Sequence, residues 1–188
     1  MEIRYPSTRA EHPRILLVEP NRTNLAVIAS RLAEHGYRVT TADSGASAIA
    51  ELYRGSVKLV LAELNMPRMS GAELARTIQG QVQWNDIPVV LITGKSEPRG
   101  VVGAYEAGAD DVIIKPFNFE VLFACIDRRL DRARSVRQLR DDNAALDARV
   151  VERAMQIGEL REELREASVK AVEKGQAGLA PRTASSSH

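Results

Sequence analysis

Residues 59–71 read LVLAELNMPRMSG, and this stretch decides the fold. Its first part belongs to the apolar run 57–64, which is apolar on both faces, as a buried parallel strand requires. Ser70 stands where it would cap a following helix, and Glu73, three positions later, completes a capping-box spacing. The stretch therefore predicts a buried strand that ends near Glu63, then a short loop and a helix.

The same alternation recurs along most of the chain. Short apolar runs cover residues 15–18, 37–42, 57–64, 88–93 and 111–114. Helical patterns lie between them, at residues 24–34, after a cap at Asp43 or Ser44, after Ser70, at residues 98–107, and from near Asn118. Five βα units in series predict an α/β fold with a doubly wound parallel sheet. In such sheets the functional site lies at the carboxyl ends of the strands.

A seven-residue repeat follows after about residue 128. It places Val136, Asn143, Val150, Ile157, Leu164 and Ala171 at position a, and Leu139, Leu146, Arg153, Leu160 and Ala167 at position d. Val or Ile at a with Leu at d favours a parallel two-stranded coiled coil, in which a single Asn at a fixes the register. Arg153 at d, and Asp142 facing Asp147 of the partner, weaken this pairing. The alternative is a long solvated helix.

These patterns divide the chain into four parts. We expect a flexible N-terminal arm at 1–13, a globular α/β domain at 14–130, a long coiled-coil helix at 131–174 and a tail at 175–188. The tail is rich in Gly, Ala, Pro and Ser, a composition typical of disorder.

Charge and composition exclude several classes of function. The chain has 26 basic and 25 acidic residues in 188, a balance that gives no electrostatic reason to expect nucleic acid or a membrane surface as a partner. A single cysteine, Cys125, excludes an internal disulfide framework and fits a reducing compartment. The N-terminal residues lack the apolar region of a signal peptide, and no run reaches the ~18 apolar residues of a membrane helix. We therefore expect a cytoplasmic protein.

Four strand ends carry a family resemblance. They read ILLVEPNRTN at 15–24, LVLAELNMPRMSG at 59–71, VVLITG at 89–94 and ADDVIIKPF at 109–117. In this order and spacing they resemble the receiver domain of two-component response regulators, over about residues 13–130. The resemblance implies a flavodoxin-like (βα)5 fold.

The resemblance also implies a phosphorylation site. In a typical receiver, two acidic residues after the first strand bind magnesium, and an aspartate after the third accepts a phosphoryl group from a histidine kinase. A Thr or Ser, a lysine before a cis proline, and an aromatic residue three positions before that lysine complete the site. Carried over position by position, these roles fall on Glu19, Pro20, Glu63, Thr93, Lys115 and Val112.

Three of these positions depart from the family pattern. Pro20 supplies no carboxylate, which leaves only weak magnesium binding at Glu19 and Glu63, since magnesium binds through carboxylates in near-ideal octahedral geometry. Glu63 extends its carboxylate by one methylene relative to aspartate, and in-line phosphoryl transfer depends on positioning and metal charge. Val112 provides no aromatic switch. We expect no ordinary aspartate phosphorylation, no cofactor and no enzymatic activity.

Several interpretations of the altered site remain open. Glu63 paired with Lys115 holds the receiver in an active-like shape, or it forms an ion pair in an inert docking fold. Residual phosphorylation, or a noncanonical phosphate donor, is the third alternative. We expect a phosphorylation-independent response regulator that acts as a parallel homodimer through its coiled coil.

The expected partners are a second copy of the chain and a signalling protein, either a histidine kinase or a downstream effector. The sequence shows no folded output domain after the repeat. We therefore expect either that the coiled coil is itself the output or that an output domain is missing from this chain. We expect Cys125 in the core, and we expect Trp84 either to pack over the sheet edge or to mark a partner surface.

Overall fold

The computed structural model of the chain describes residues 12–94 and 98–177. The predicted arm and tail lie largely outside these residues. The elements in chain order are β1 (Arg14–Val18), α1 (Arg22–His35), β2 (Arg38–Ala42), α2 (Gly45–Tyr53), β3 (Leu59–Glu63), α3 (Gly71–Gln79), β4 (Val89–Thr93), α4 (Pro98–Glu106), β5 (Asp111–Ile114) and α5 (Phe119–Ala177). The five strands are parallel and stand in the order β2-β1-β3-β4-β5. This is the predicted flavodoxin-like (βα)5 arrangement.

Alternate residues of the strands point to opposite faces of the sheet and pack into two separate cores, one on each face. On β1, Leu16 and Val18 belong to the apolar cluster on one face, the first core cluster. Ile15 and Leu17 belong to the cluster on the other face, the second core cluster. All four are at most 1% exposed. Apolar residues on both faces explain why β1, β3 and β4 are nearly continuous apolar runs, since helices cover both sides of the sheet.

Side-chain caps fix where the helices start. The capping box of Ser70 and Glu73 forms at α3 as predicted, and Ser44 rather than Asp43 caps α2. Helix α1 begins two residues earlier than predicted, because the side chain of Asn21 accepts a hydrogen bond from the backbone N–H of Asn24 at 3.0 Å. Its other end lies at His35, one residue beyond the predicted pattern, and is followed by Gly36 in the left-handed conformation at φ 107°.

Trp84 and Cys125 both pack against other residues of the fold. Trp84 is 5% exposed and meets Tyr53 edge to face with ring centroids 4.8 Å apart, which is the packing alternative. Cys125 is half-buried, packs against the second core cluster and directs its Sγ toward Asp111 Oδ2 at 3.2 Å. The cysteine is therefore a core residue with one polar contact.

Contacts within the chain divide it into two units, residues 1–137 and residues 138–188. Helix α5 contributes residues to both units. In the second unit the predicted heptad residues are helical. Their apolar side chains are between 50% and 67% exposed, namely Leu139, Leu146, Val150, Ile157, Leu160 and Leu164. In the first unit, Leu130 is buried in the second core cluster and Val136 is 38% exposed. Whether these positions pair with a second chain stays a prediction.

No helix in the described ranges is long and apolar enough to cross a membrane.

Candidate functional site

The carboxyl ends of four neighbouring strands bring the predicted site residues to one edge of the sheet. Glu63 and Thr93 are the last residues of β3 and β4. Glu19 directly follows β1, and Lys115 directly follows β5. The register aligns Val18 with Ala62, Glu63 with Ile92, and Thr93 with Ile114, so the strands end nearly level. Strand order and register thus place side chains from four separate sequence segments side by side.

Lys115 bridges the two carboxylates. Its Nζ donates a hydrogen bond of 2.9 Å to Glu19 Oε2 and one of 2.8 Å to Glu63 Oε2. The side chains of Glu19 and Glu63 are 6% and 11% exposed, and that of Lys115 is 24% exposed. Burial lowers the pKa of Lys115, but hydrogen bonds and negative charge from Glu63 and Glu19 outweigh it and raise the pKa above its usual value. The ammonium therefore stays charged at neutral pH.

Backbone N–H groups occupy the remaining carboxylate oxygens. Asn21 N–H donates to Glu19 Oε1 at 3.0 Å, and Asn65 N–H donates to Glu63 Oε1 at 3.1 Å. Each glutamate thus has one oxygen held by the amide two residues later and the other held by Lys115. Such charge-assisted hydrogen bonds are short and strong, and they fix both carboxylates in place.

Asn65 is a site residue that the sequence analysis missed. Its Nδ2 donates to Thr93 Oγ1 at 3.2 Å, and Thr93 is fully buried. A signal was present, because an asparagine stands two residues after each strand-end glutamate, at Asn21 and at Asn65. Any residue other than proline at these two positions would supply the backbone N–H that each glutamate accepts. What is particular to Asn65 is its side chain, which links the loop after Glu63 to β4.

Two predicted positions stay outside this network. Pro20 offers no side-chain donor or acceptor. Val112 packs against the apolar cluster on one sheet face, and its backbone N–H donates to Asp111 Oδ1 at 3.0 Å. The Lys115–Pro116 peptide bond is cis, as the resemblance implied. The structure thus brings together Glu19, Glu63, Thr93 and Lys115, with Pro20 and Val112 supplying no polar side chain.

The residues do not fit the magnesium ion that the fold family implies. Magnesium needs several oxygen ligands free to approach it octahedrally. All four oxygens of Glu19 and Glu63 already accept hydrogen bonds, and the Lys115 ammonium lies within 2.9 Å of both carboxylates. In the described part of the chain, no three His, Cys, Asp or Glu side chains group as metal ligands would. Lys115 supplies the positive charge here instead.

Comparisons with known proteins agree with this fold. The family model "Response regulator receiver domain" matches residues 15–127. A solved receiver domain of a signal transduction histidine kinase from Syntrophus aciditrophicus is 36% identical, with a TM-score of 0.60, and covers 63% of this chain and 90% of its own. The chemotaxis protein CheY of Pseudomonas aeruginosa is 28% identical over 120 residues, 63% of this chain and 97% of CheY. The chain belongs to the response regulator receiver family of two-component signal transduction.

Another relative is longer than this chain. A protein of Vibrio cholerae named "Probable cyclic di-GMP phosphodiesterase" is 32% identical over 148 residues, which is 79% of this chain. The chain spans 33% of that protein and 53% of the regulatory protein VanRB of Enterococcus faecalis. The 148-residue match is longer than the segment 15–127, so it includes part of the chain outside the receiver match.

Proposed function

We propose that this protein is a phosphorylation-independent response regulator that signals as a dimer through α5. The observation that carries the proposal is the bridge from Lys115 to both Glu19 and Glu63. A receiver that accepts a phosphoryl group needs a free carboxylate oxygen and a metal to neutralise charge. Here a lysine and two backbone amides occupy the carboxylate oxygens.

The bridge gives the site a permanent charge pattern. Exposing or protonating Glu63 would leave the Lys115 ammonium with one partner fewer in a largely buried position. Charge-assisted hydrogen bonds to two carboxylates favour a single arrangement of this edge. We infer that the domain keeps one conformation, and that a partner recognises this conformation rather than a phosphorylated one.

The exposed apolar residues of α5 support the dimer. Within residues 138–177, six apolar side chains at heptad positions a and d are at least half exposed in the single chain. Burying apolar area contributes roughly 25 cal/mol per Å². A second copy of the same helix buries the same positions by symmetry, and Asn143 opposite its own copy sets a parallel register. The occupant that we propose is therefore a second copy of this chain.

We propose a non-enzymatic cytoplasmic protein whose further partner is a histidine kinase or a downstream effector. The phosphodiesterase name belongs to a relative of which this chain spans one third, and that activity is not part of the proposal. The alternative function is a phosphate-accepting receiver that regulates a partner or an output domain.

Phosphotransfer separates the two functions. The full chain is incubated with radiolabelled acetyl phosphate and magnesium, beside the Glu63→Ala variant and a phosphorylatable receiver. We expect no stable label on the chain. Label that depends on Glu63 would establish the alternative function. In the double variant Pro20→Asp, Glu63→Asp, we expect magnesium-dependent labelling, because the missing acid at position 20 and the shorter aspartate at position 63 are both restored.

Solution mass tests the dimer. Light scattering at micromolar concentration should give twice the mass of the 20.7 kDa chain. Leu160→Glu places a charge at position d and should yield monomers. Met155→Glu is the matched control, since it introduces the same charge at an equally exposed residue on the outer face of the heptad and should stay dimeric. A monomeric wild type, or equal effects of both variants, contradicts the coiled-coil assignment.

A further inference from the structure

A basic cavity lies at the amino-terminal ends of the strands, opposite the carboxyl ends where Glu63 lies. Arg14 and Arg38 are the first residues of β1 and β2 and are paired in register. Lys58 precedes β3, and its backbone N–H donates to the Arg14 carbonyl at 2.8 Å. Helix α5 adds Arg134 and Arg137. These five cationic side chains line a cavity of about 780 Å³.

Most of the positive charge in this cavity is not neutralised by the protein. Arg134 forms an ion pair with Asp131 at 3.1 Å. Within the described ranges, Arg38, Lys58 and Arg137 form no ion pair, and no lining residue is Asp or Glu. Four cationic side chains besides Arg134 thus converge without a carboxylate, in a chain whose net charge is only +1.

The guanidinium of Arg14 is held in place by neutral groups. Its Nε donates to Thr40 Oγ1 and its Nη1 donates to Ser56 Oγ, both at 2.8 Å. Hydroxyl acceptors orient the guanidinium but leave its charge uncompensated. Arg14 and Arg137 are also half-buried, so water solvates their charge less than at an open surface. A preoriented, partly desolvated cation among other cations favours a multivalent anion.

The lining also indicates what kind of anion fits. Guanidinium groups match phosphate oxygens in a bidentate geometry. The described lining residues include no Phe, Tyr or Trp, and the one aromatic ring among them is that of His12, whose Nδ1 lies 2.6 Å from the Gly36 carbonyl oxygen. The ligand that fits best is therefore a chain of phosphates with about three or four negative charges, which would match the uncompensated cations.

We propose that this cavity binds a linear oligophosphate, either free or as the phosphate chain of a nucleoside polyphosphate. The anion bridges the amino-terminal edge of β1, β2 and β3 to the segment of α5 that carries Arg134 and Arg137. This site is separate from the Glu63 edge, since the two lie at opposite ends of the same strands. Binding does not depend on whether Glu63 accepts phosphate.

Calorimetric titration of the full chain with sodium tripolyphosphate tests the proposal. The titration is repeated with ATP and with AMP, at 50 mM and 300 mM NaCl. The variant Arg38→Ala, Lys58→Ala removes two exposed cations of the cavity. The matched control Arg76→Ala, Arg99→Ala removes two exposed arginines that lie on α3 and α4 and do not line it.

We expect saturable binding of tripolyphosphate at low salt that weakens at least tenfold at high salt, because the contacts are ionic. The cavity variant should lose at least tenfold in affinity and the control variant less than twofold. Equal affinities for ATP and tripolyphosphate would identify the free oligophosphate chain as sufficient. Tighter binding of ATP would identify the nucleoside polyphosphate as the source. No binding of tripolyphosphate at low salt, or equal losses of affinity in both variants, would overturn the proposal.

Discussion

Lys115 donates a hydrogen bond of 2.8 Å to Glu63, a residue 52 positions earlier in the chain. The same ammonium also reaches Glu19, so one cation serves two carboxylates that are nearly buried. A single lysine thus holds the carboxylates that follow two different strands. The lysine places a positive charge between the two carboxylates.

Removing the Lys115 charge should destabilise the fold. Lys115→Met keeps most of the side-chain volume but leaves Glu19 and Glu63 without their shared cation. Breaking a buried ion pair costs about 3–5 kcal/mol, and we expect the lower end, about 3 kcal/mol, because Lys115 keeps some solvent exposure. Urea unfolding at pH 7 measures the loss. Lys58→Met, at an exposed lysine without an ion pair in the described ranges, should change stability by less than about 0.5 kcal/mol. A loss below 1 kcal/mol for Lys115→Met would show that the carboxylates do not depend on it.

Alkaline pH should weaken the same interaction. The pKa of Lys115 is raised in the folded chain, so its contribution is fully present below the ordinary lysine pKa of about 10.4 and is lost as pH rises through the raised value. The stability difference between wild type and Glu63→Gln should therefore be constant from pH 8 to about 10 and shrink above it. Taking this difference cancels the titration of other groups. Urea unfolding across this range measures it, and Glu34→Gln, at an exposed surface pair, should give a flat difference. A Glu63→Gln difference that grows above pH 10 would have the wrong sign.

Cys125 should react slowly in the native chain. Burial, followed by the hydrogen bond to Asp111, raises the pKa of its thiol to about 11 from 9.0. Since only the thiolate reacts, the native rate with iodoacetamide at pH 8 should be lower by about 100-fold than the rate of the urea-unfolded chain. Mass spectrometry follows the reaction at this single cysteine. Asp111→Asn removes the neighbouring negative charge and should speed the native reaction. Equal native and unfolded rates would mean that the thiol is neither buried nor held by Asp111.

Gly71 should not tolerate a side chain. A Cβ at this position would lie 2.6 Å from the carbonyl oxygen of Glu63 and 2.9 Å from Leu64 Cα, both backbone atoms. Gly71→Ala should therefore cost about 2 kcal/mol, as overpacking does, and displace Glu63 from Lys115. Gly100 in α4 has open space at the same atom, and Gly100→Ala should stabilise by roughly 0.5–1 kcal/mol. Thermal unfolding of the two variants should thus shift in opposite directions, and a shift of both in the same direction would contradict the close packing at Gly71.

The fold was largely predictable because it depends on local patterns. Apolar runs set the strands, and caps such as Ser70 set the helix starts, since both act over a few residues. The sequence patterns and the structure differ at the ends of α1 and β3. The pattern could not reveal that Asn21, rather than a later residue, satisfies the first free N–H groups of α1. Likewise, the apolar run 57–64 extends beyond β3 at both ends, because Val57 and Leu64 are buried although they lie outside the strand. The Leu64 N–H still donates to the Ile92 carbonyl of β4 at 2.7 Å.

The sequence by itself determined which groups stand at the strand ends, and that Pro20 offers no carboxylate and Val112 no aromatic ring. Only the tertiary structure decided what the remaining groups do. Lys115 meets Glu19 across 96 positions because the strand order gathers β1, β3, β4 and β5 at one edge. The basic cavity at the other edge likewise combines three strand starts with α5. Contacts of this kind depend on register and side-chain direction over long sequence separations, which a local pattern does not encode.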